Sequence, residues 1–228
     1  MPIIHEVEQR SAEWDKLRLG IVTSSCFHMI LTPGGKPSEQ WKRYAYHLIA
    51  ERLLQRSVGT YTSPAMERGQ IVEADAADWY ELTQDVDTRK IGFIMSDDGK
   101  VGASPDRLVG DDGLLEIKCP EAAAQVEYLL ADATNGLLKH PLRKYWPQVQ
   151  GQLYVAERQW VDVLAWSEEL PSTVIRVERD EPYIEKLAKE IASCNREIER
   201  VMGLIDGVRI KPKAVLREML QQSLEAPL

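Results

Sequence analysis

The sequence predicts one α/β domain, a mixed central sheet with helices on both sides. Three observations predict it. Runs rich in β-branched and aromatic residues alternate with runs of helical period. Asp-Asp-Gly at 97–99 and again at 111–113 marks turns that join three of the β-rich runs as an antiparallel meander. No repeat, linker or low-complexity segment divides the 228 residues, so a single domain spans 1–228 with its core at about 11–205.

The elements follow in order. Ser11 caps a short helix that runs through Leu17. Gly20 punctuates the chain, and Thr23 or Ser24 caps a helix over Ser25–Leu31. Thr32–Ser38 is a loop on its Pro and Gly content. Its Gly34-Gly35-Lys36 lacks the spacing of a phosphate-binding loop. Glu39–Gln55 reads as a helix with Tyr44, Ala45, Leu48 and Leu53 toward the core. A long helix over Pro64–Gln84 places Glu73, Ala76, Ala77 and Tyr80 at helical spacing. Strands follow at Val86–Ser96, Val101–Val109 and Leu114–Cys119, where Pro120 ends the meander. Helices are expected at Ala122–Ala133 and Pro141–Glu157, strands at Trp160–Trp166 and Ser172–Val177, and helices at Glu181–Ile205 and Val215–Gln222.

The chemistry concentrates in Gly102-Ala-Ser-Pro-Asp106 and Glu116-Ile-Lys118. Alternate side chains of a strand share a face, so Glu116 and Lys118 point the same way. The turn at Asp111–Gly113 folds the second strand back and sets Asp106 beside Glu116. Two converging carboxylates repel unless a cation lies between them, and hard oxygen donors suit Mg²⁺ or Mn²⁺. A lysine one strand step away adds a proton handle or a charge stabiliser. Together these are the parts of metal-assisted phosphodiester hydrolysis. A surface hairpin with a cross-strand ion pair is the plainer alternative. Against it stands the apolar setting, Leu114-Leu115-Glu116-Ile117-Lys118-Cys119, where unpaired charge is costly.

Other segments add candidates. Glu73 sits among small residues on an inward helix face and is a further carboxylate for the site. Arg18 with the hydroxyls near Ser25 is a candidate seat for a phosphate, although on this segment alone plain helix capping with a surface arginine is the better reading. Tyr145, Gln148 and Gln152 form one polar stripe on the helix at 141–157, and which of Gln148, Gln150 and Gln152 acts stays open. Lys139, His140, Arg143 and Lys144 are the densest basic cluster, suited to backbone phosphates.

The totals exclude several classes. No apolar run is long enough to span a membrane. The N-terminus lacks the n- and h-regions of a secretory signal. Cys26, Cys119 and Cys194 are widely spaced and odd in number, which points to a reducing, cytoplasmic setting and away from a zinc site. The net charge of −8 argues against a protein that coats nucleic acid. It argues less against an enzyme that gathers acids at a metal and keeps its positive charge local.

Five motifs in order carry a resemblance: Leu17-Arg-Leu-Gly-x-x-Thr-x-Ser25, Gly69-x-x-x-Glu73, Ala103-Ser-Pro-Asp106, Glu116-x-Lys-Cys-Pro120 and Tyr145-x-x-Gln148-Val-Gln150. Together they resemble the phage lambda exonuclease family, the YqaJ-like viral recombinase nucleases with a PD-(D/E)xK, restriction-endonuclease-like core. The chain is most similar to a prophage-encoded bacterial member, at home in the host cytoplasm. The resemblance implies a 5′→3′ exonuclease on linear double-stranded DNA that releases mononucleotides and leaves a 3′ single strand. It implies a homotrimeric ring working beside a single-strand annealing recombinase. By the same resemblance Asp106, Glu116, the Ile117 carbonyl and Glu73 hold Mg²⁺, two ions per site with Mn²⁺ as a substitute. Lys118 orients or deprotonates the attacking water, and Gln148 and Tyr145 complete the catalytic group. Arg18, Ser25 and Ser104 hold the terminal 5′-phosphate, Met66 wedges the end base pair, and Arg143 and Lys144 touch the DNA backbone. The loop Thr32–Ser38 departs from the family pattern, which places a basic residue in the duplex there. An endonuclease of the same fold, or a non-catalytic DNA-end-binding module, is the competing expectation.

Overall fold

The structure, a computed structural model, describes residues 1–59, 64–131 and 137–210. The helix expected at Val215–Gln222 falls outside the described residues, as does the side chain of Met66. The strands are β1 Ile3–His5, β2 Val22–Thr23, β3 Thr88–Lys90, β4 Phe93–Met95, β5 Val101–Ala103, β6 Arg107–Val109, β7 Gly113–Lys118, β8 Trp160–Ala165 and β9 Thr173–Glu178. The helices are α1 Ala12–Arg18, α2 Trp41–Leu54, α3 Pro64–Gln84, α4 Ala122–Leu130, α5 Trp146–Ala156 and α6 Glu181–Ile210.

The mixed central sheet has the order β3-β6-β7-β8-β9, with β7 and β8 parallel and the other neighbours antiparallel. A second sheet, β1-β4-β5-β2, stands beside it. The second sheet arises because two expected long strands bend. Val86–Ser96 divides into β3 and β4 around Ile91-Gly92, and Val101–Val109 divides into β5 and β6 around Ser104-Pro105-Asp106. Pro105 has no N–H to continue the ladder. At Gly92 the carbonyl of Val7 comes so close that a Cβ would lie 2.1 Å from it. Carbonyls freed at the bends must find donors. The Gln9 amide donates to Ile91 O at 3.0 Å and Pro105 O at 3.1 Å, and Trp14 Nε1 donates to Gly92 O at 3.0 Å. Ser104 and Asp106 therefore stand on a corner between sheets rather than inside a strand.

Helices cover both faces of the central sheet. Ala76, Ala77 and Tyr80 of α3 pack on Val109, Leu115, Ile117 and Leu164. On the other face Val149 and Leu153 of α5 and Leu187 and Ile191 of α6 pack with Leu114, Val161 and Val163. Full burial of a side chain such as Leu114 contributes roughly 1.5–3 kcal/mol. Strand β7 is buried on both sides, so Leu115 and Ile117 face α3, whereas Leu114, Glu116 and Lys118 face α5.

Local differences from the sequence reading have plain causes. Ser11 accepts from the Trp14 amide and caps α1 as expected. The helix expected at Ser25–Leu31 is a 3-10 segment, Ser24–Met29, and the Thr23 hydroxyl makes no cap bond. The expected helix Pro141–Glu157 is a 3-10 segment, Pro141–Tyr145, followed by α5. Pro147 is tolerated because it falls in the first turn of α5. His140 is wholly buried rather than part of a basic surface: Nε2 lies 3.0 Å from Tyr128 O, and Nδ1 accepts from the Leu142 amide. Among the described residues no helix is long and apolar enough to cross a membrane.

Candidate active site

The corner, the end of β7 and the start of α5 enclose a cleft of about 700 Å³. Asp106, Glu116, Ile117, Lys118, Glu73, Tyr145 and Gln148 line it, and so do Arg18, Ser25, Ser104 and Lys144. Arg143 is exposed and outside this lining. Residues far apart in the sequence thus share one cleft.

The register of β6 with β7 pairs Arg107 with Leu115, which sets Asp106 one step further, opposite Glu116. The Asp106 amide donates to Leu115 O at 3.1 Å. Its carboxylate accepts from the Ile117 amide at 2.6 Å. Burial, then the charge of Glu116, holds the Asp106 carboxyl well above the usual carboxylate range; Lys118 pulls it the other way and Glu73 adds to the rise.

Glu116 is nearly enclosed and its oxygens are fully engaged. Lys118 Nζ donates to Oε1 in a short ion pair. Gln148 Nε2 donates to Oε1 at 2.6 Å, and Gln152 Nε2 to Oε2 at 2.5 Å. Burial works against the charge on Lys118, but Glu116, Tyr145 and Asp106 outweigh it and raise its pKa. Lys118 Nζ also lies 4.4 Å from the centroid of the Tyr145 ring, a cation–π contact. The three glutamines separate by role. Gln148 and Gln152 lie on the stripe that meets β7. Gln150 faces away, accepting from the Asp180 amide at 2.9 Å and donating to Glu178 O at 2.8 Å.

Glu73 reaches the same cleft from α3 but is held by arginines. Arg107 Nη1 is 3.3 Å from Oε1 and Arg10 Nη2 is 3.6 Å from Oε2. Neither arginine was foreseen from the sequence. Arg107 follows Asp106 on a strand, so its side chain takes the opposite face toward α3; that alternation was the available signal. Arg10 carried none.

A second group lines the same cleft. Arg18 stacks on Trp14 at 3.9 Å and donates to Ser25 Oγ at 3.3 Å. Trp14 Nε1 donates to Ser104 Oγ at 3.1 Å, so the indole ties Ser104 to the arginine. Burial lowers the Arg18 pKa, although an arginine stays charged. Its buried Nε has no hydrogen-bond partner, and among the described residues no carboxylate forms an ion pair with it. A half-buried guanidinium with an enclosed, unpartnered Nε, in the same cleft as two serine hydroxyls, is arranged to receive an anion.

The donor chemistry suits a divalent cation in part. Asp106 and Glu116 bring hard oxygens to a cleft that Ile117 also lines, and the Glu116 charge that adds to burial in raising the Asp106 pKa is repulsion a cation would relieve. Among the described residues no group of three or more acidic, His or Cys side chains is already gathered to hold a metal ion. Glu73 is turned to its arginines instead.

Comparison with known proteins identifies the family. The YqaJ-like viral recombinase domain matches residues 13–159, a stretch that includes every cleft residue above except Gln9 and Arg10. An alkaline exonuclease from Laribacter hongkongensis, in two crystal structures of which one is a complex with dAMP, superposes with a TM-score of 0.77. Identity is 30%, over 88% of this chain and 99% of that one. A phage-related exonuclease from Haemophilus somnus 129PT gives a TM-score of 0.64 at 14% identity, over 81% of this chain and 96% of that one, and supports the fold alone. No curated protein matches. With the domain match covering most of the chain and the corner, β7 and α5 supplying its core motif, the chain belongs to the YqaJ-like viral recombinase family of PD-(D/E)xK nucleases.

Proposed function

We propose that this chain is a Mg²⁺-dependent exodeoxyribonuclease that digests one strand of linear double-stranded DNA from its 5′-phosphorylated end, 5′→3′, and releases mononucleotides. The observation that carries the reading is the shared cleft. An acid–lysine group shares it with a half-buried arginine that makes no ion pair among the described residues, and with Ser25 and Ser104. The alkaline exonuclease relative bound dAMP, a nucleoside monophosphate of the class such a reaction releases.

Asp106, Glu116 and the Ile117 carbonyl would hold the metal, and Glu73 would join directly or through water. A bound divalent cation supplies a more acidic water and stabilises charge on the leaving oxygen. The chain's own groups do the rest. Arg18, Ser25 and Ser104 take the terminal phosphate and fix which end enters, and Met66 wedges the end base pair. Lys118, beside Glu116, orients or deprotonates the attacking water. Gln148 and Gln152 hold and aim the Glu116 carboxyl, and Tyr145 packs against the Lys118 ammonium. Lys144, with Arg143 beside it, meets the DNA backbone. Two Mg²⁺ ions per site, a homotrimeric ring around the duplex and a strand-annealing partner for the 3′ strand complete the reading, on the family resemblance.

Closed circular and linear duplex of the same sequence, each with Mg²⁺ and with EDTA, test it. Linear DNA is consumed only with Mg²⁺ while circles stay intact. Cutting of circles would instead identify an endonuclease, and inertness with every divalent metal a binding module.

A further inference from the structure

We infer that Glu51 and Arg52 are positioning residues for the terminal-phosphate pocket: they clamp the Gly20 turn between Arg18 and Ser25 and thereby set the preference for 5′-phosphorylated ends. The inference rests on the reading of Arg18 and Ser25 as a phosphate seat.

Both residues end helix α2, outside the cleft lining. The Gly20 amide donates to Glu51 Oε2 at 3.0 Å, and Arg52 Nε donates to Gly20 O at 2.8 Å. One peptide position is thus held at both of its polar atoms. Gly20 is at φ +66°, and a Cβ there would lie 2.3 Å from Arg52 Cγ, so the turn and the arginine stem occupy one fitted space. The clamp is itself braced. Glu51 is buried, and its other oxygen is 3.3 Å from Ser57 Oγ and from the Val58 amide. Arg52 Nη1 reaches Glu199 of α6 at 2.9 Å. Further along the same arm, the Thr23 amide donates to Tyr44 Oη at 3.0 Å, again from α2.

The pocket needs this support. Among the described residues the Arg18 head makes one side-chain hydrogen bond, to Ser25, and its Nε none. Its position follows the backbone of residues 18–25, and α2 fixes that backbone. A seat for a phosphate dianion tolerates little displacement, because bidentate geometry sets its strength.

The test compares kcat/KM on linear duplex ends carrying 5′-phosphate or 5′-hydroxyl for Glu51→Ala, Glu51→Gln, Arg52→Met and Arg18→Ala in the full chain. The phosphate/hydroxyl ratio is expected to fall about tenfold or more in Glu51→Ala and Arg52→Met. Glu51→Gln restores most of it, since the amide oxygen still accepts from Gly20. Equal loss on both ends, or an unchanged ratio in both variants while Arg18→Ala lowers it, overturns the inference and leaves the pocket standing. An unchanged ratio in Arg18→Ala overturns the pocket reading itself. Should Glu51→Ala fail to fold, Arg52→Met decides.

Discussion

Gln152 donates its amide to Oε2 of Glu116 at 2.5 Å from a position wholly closed to solvent. A buried carboxylate keeps its charge only when donors replace water. Glu116 has three, Lys118 and Gln148 at one oxygen and Gln152 at the other. Gln152 therefore supports the site from beneath, where no substrate can touch it.

Replacing it by Leu keeps the volume and removes the donor. We predict that Gln152→Leu slows nucleotide release by about ten- to a hundredfold, the cost of a hydrogen bond to a charged group. Gln150→Leu, one residue pair away on the other face, should lower thermal stability and leave the rate per folded molecule nearly unchanged. Steady-state release and a melting curve on both variants check the contrast; equal rate effects would remove the special role of Gln152.

Lys118→Ala should abolish cleavage while DNA is still bound. The ammonium is one group in a cleft whose anion seat, Arg18, is untouched by the change. Fluorescence anisotropy on labelled duplex in EDTA measures binding, and nucleotide release in Mg²⁺ measures turnover. Residual turnover within tenfold of the parent would refute the role given to Lys118.

Tyr80 Oη donates to Asp162 Oδ2 at 2.6 Å, and Arg176 bridges both oxygens of Asp162 at 2.8 Å. Tyr80 lies on the face of α3 that also carries Glu73. Tyr80→Phe is expected to cost about 1–3 kcal/mol, because Asp162 is almost fully buried and loses a donor. Urea denaturation measures it, and no change would mean that Arg176 alone satisfies Asp162.

Burial pushes the Cys194 thiol up to about 11, so it stays protonated at neutral pH. The raised pKa disfavours the thiolate in the folded state, and unfolding restores it. Cys194 should resist iodoacetamide at pH 8 in the native protein and react in urea. Mass spectrometry of the labelled peptide checks this; rapid native labelling would contradict the packing of α6.

Much of the site was legible because it follows strand and helix periods. The alternation Leu114, Glu116, Lys118 fixed a shared face, and the spacing of Tyr145, Gln148 and Gln152 fixed the stripe that meets it. The bends were not legible. Gly92 and Pro105 fall inside β-rich runs, and only the tertiary partners Gln9 and Trp14, which satisfy the freed carbonyls, make a corner there stable. Pairs distant in sequence were equally hidden. Glu73 with Arg107, and Gly20 with Glu51 and Arg52, depend on how α3 and α2 dock, which no local pattern encodes. His140 read as surface charge because its burial depends on Tyr128.

The most direct measurement follows linear duplex DNA labelled separately at the 5′ end of each strand, with 5′-phosphate or 5′-hydroxyl termini, in Mg²⁺. The account predicts early release of the 5′ label as a mononucleotide, faster from phosphorylated ends, while the opposite strand survives to its 3′ terminus. Release from the 3′ end first, or labelled internal fragments at early times, would contradict it.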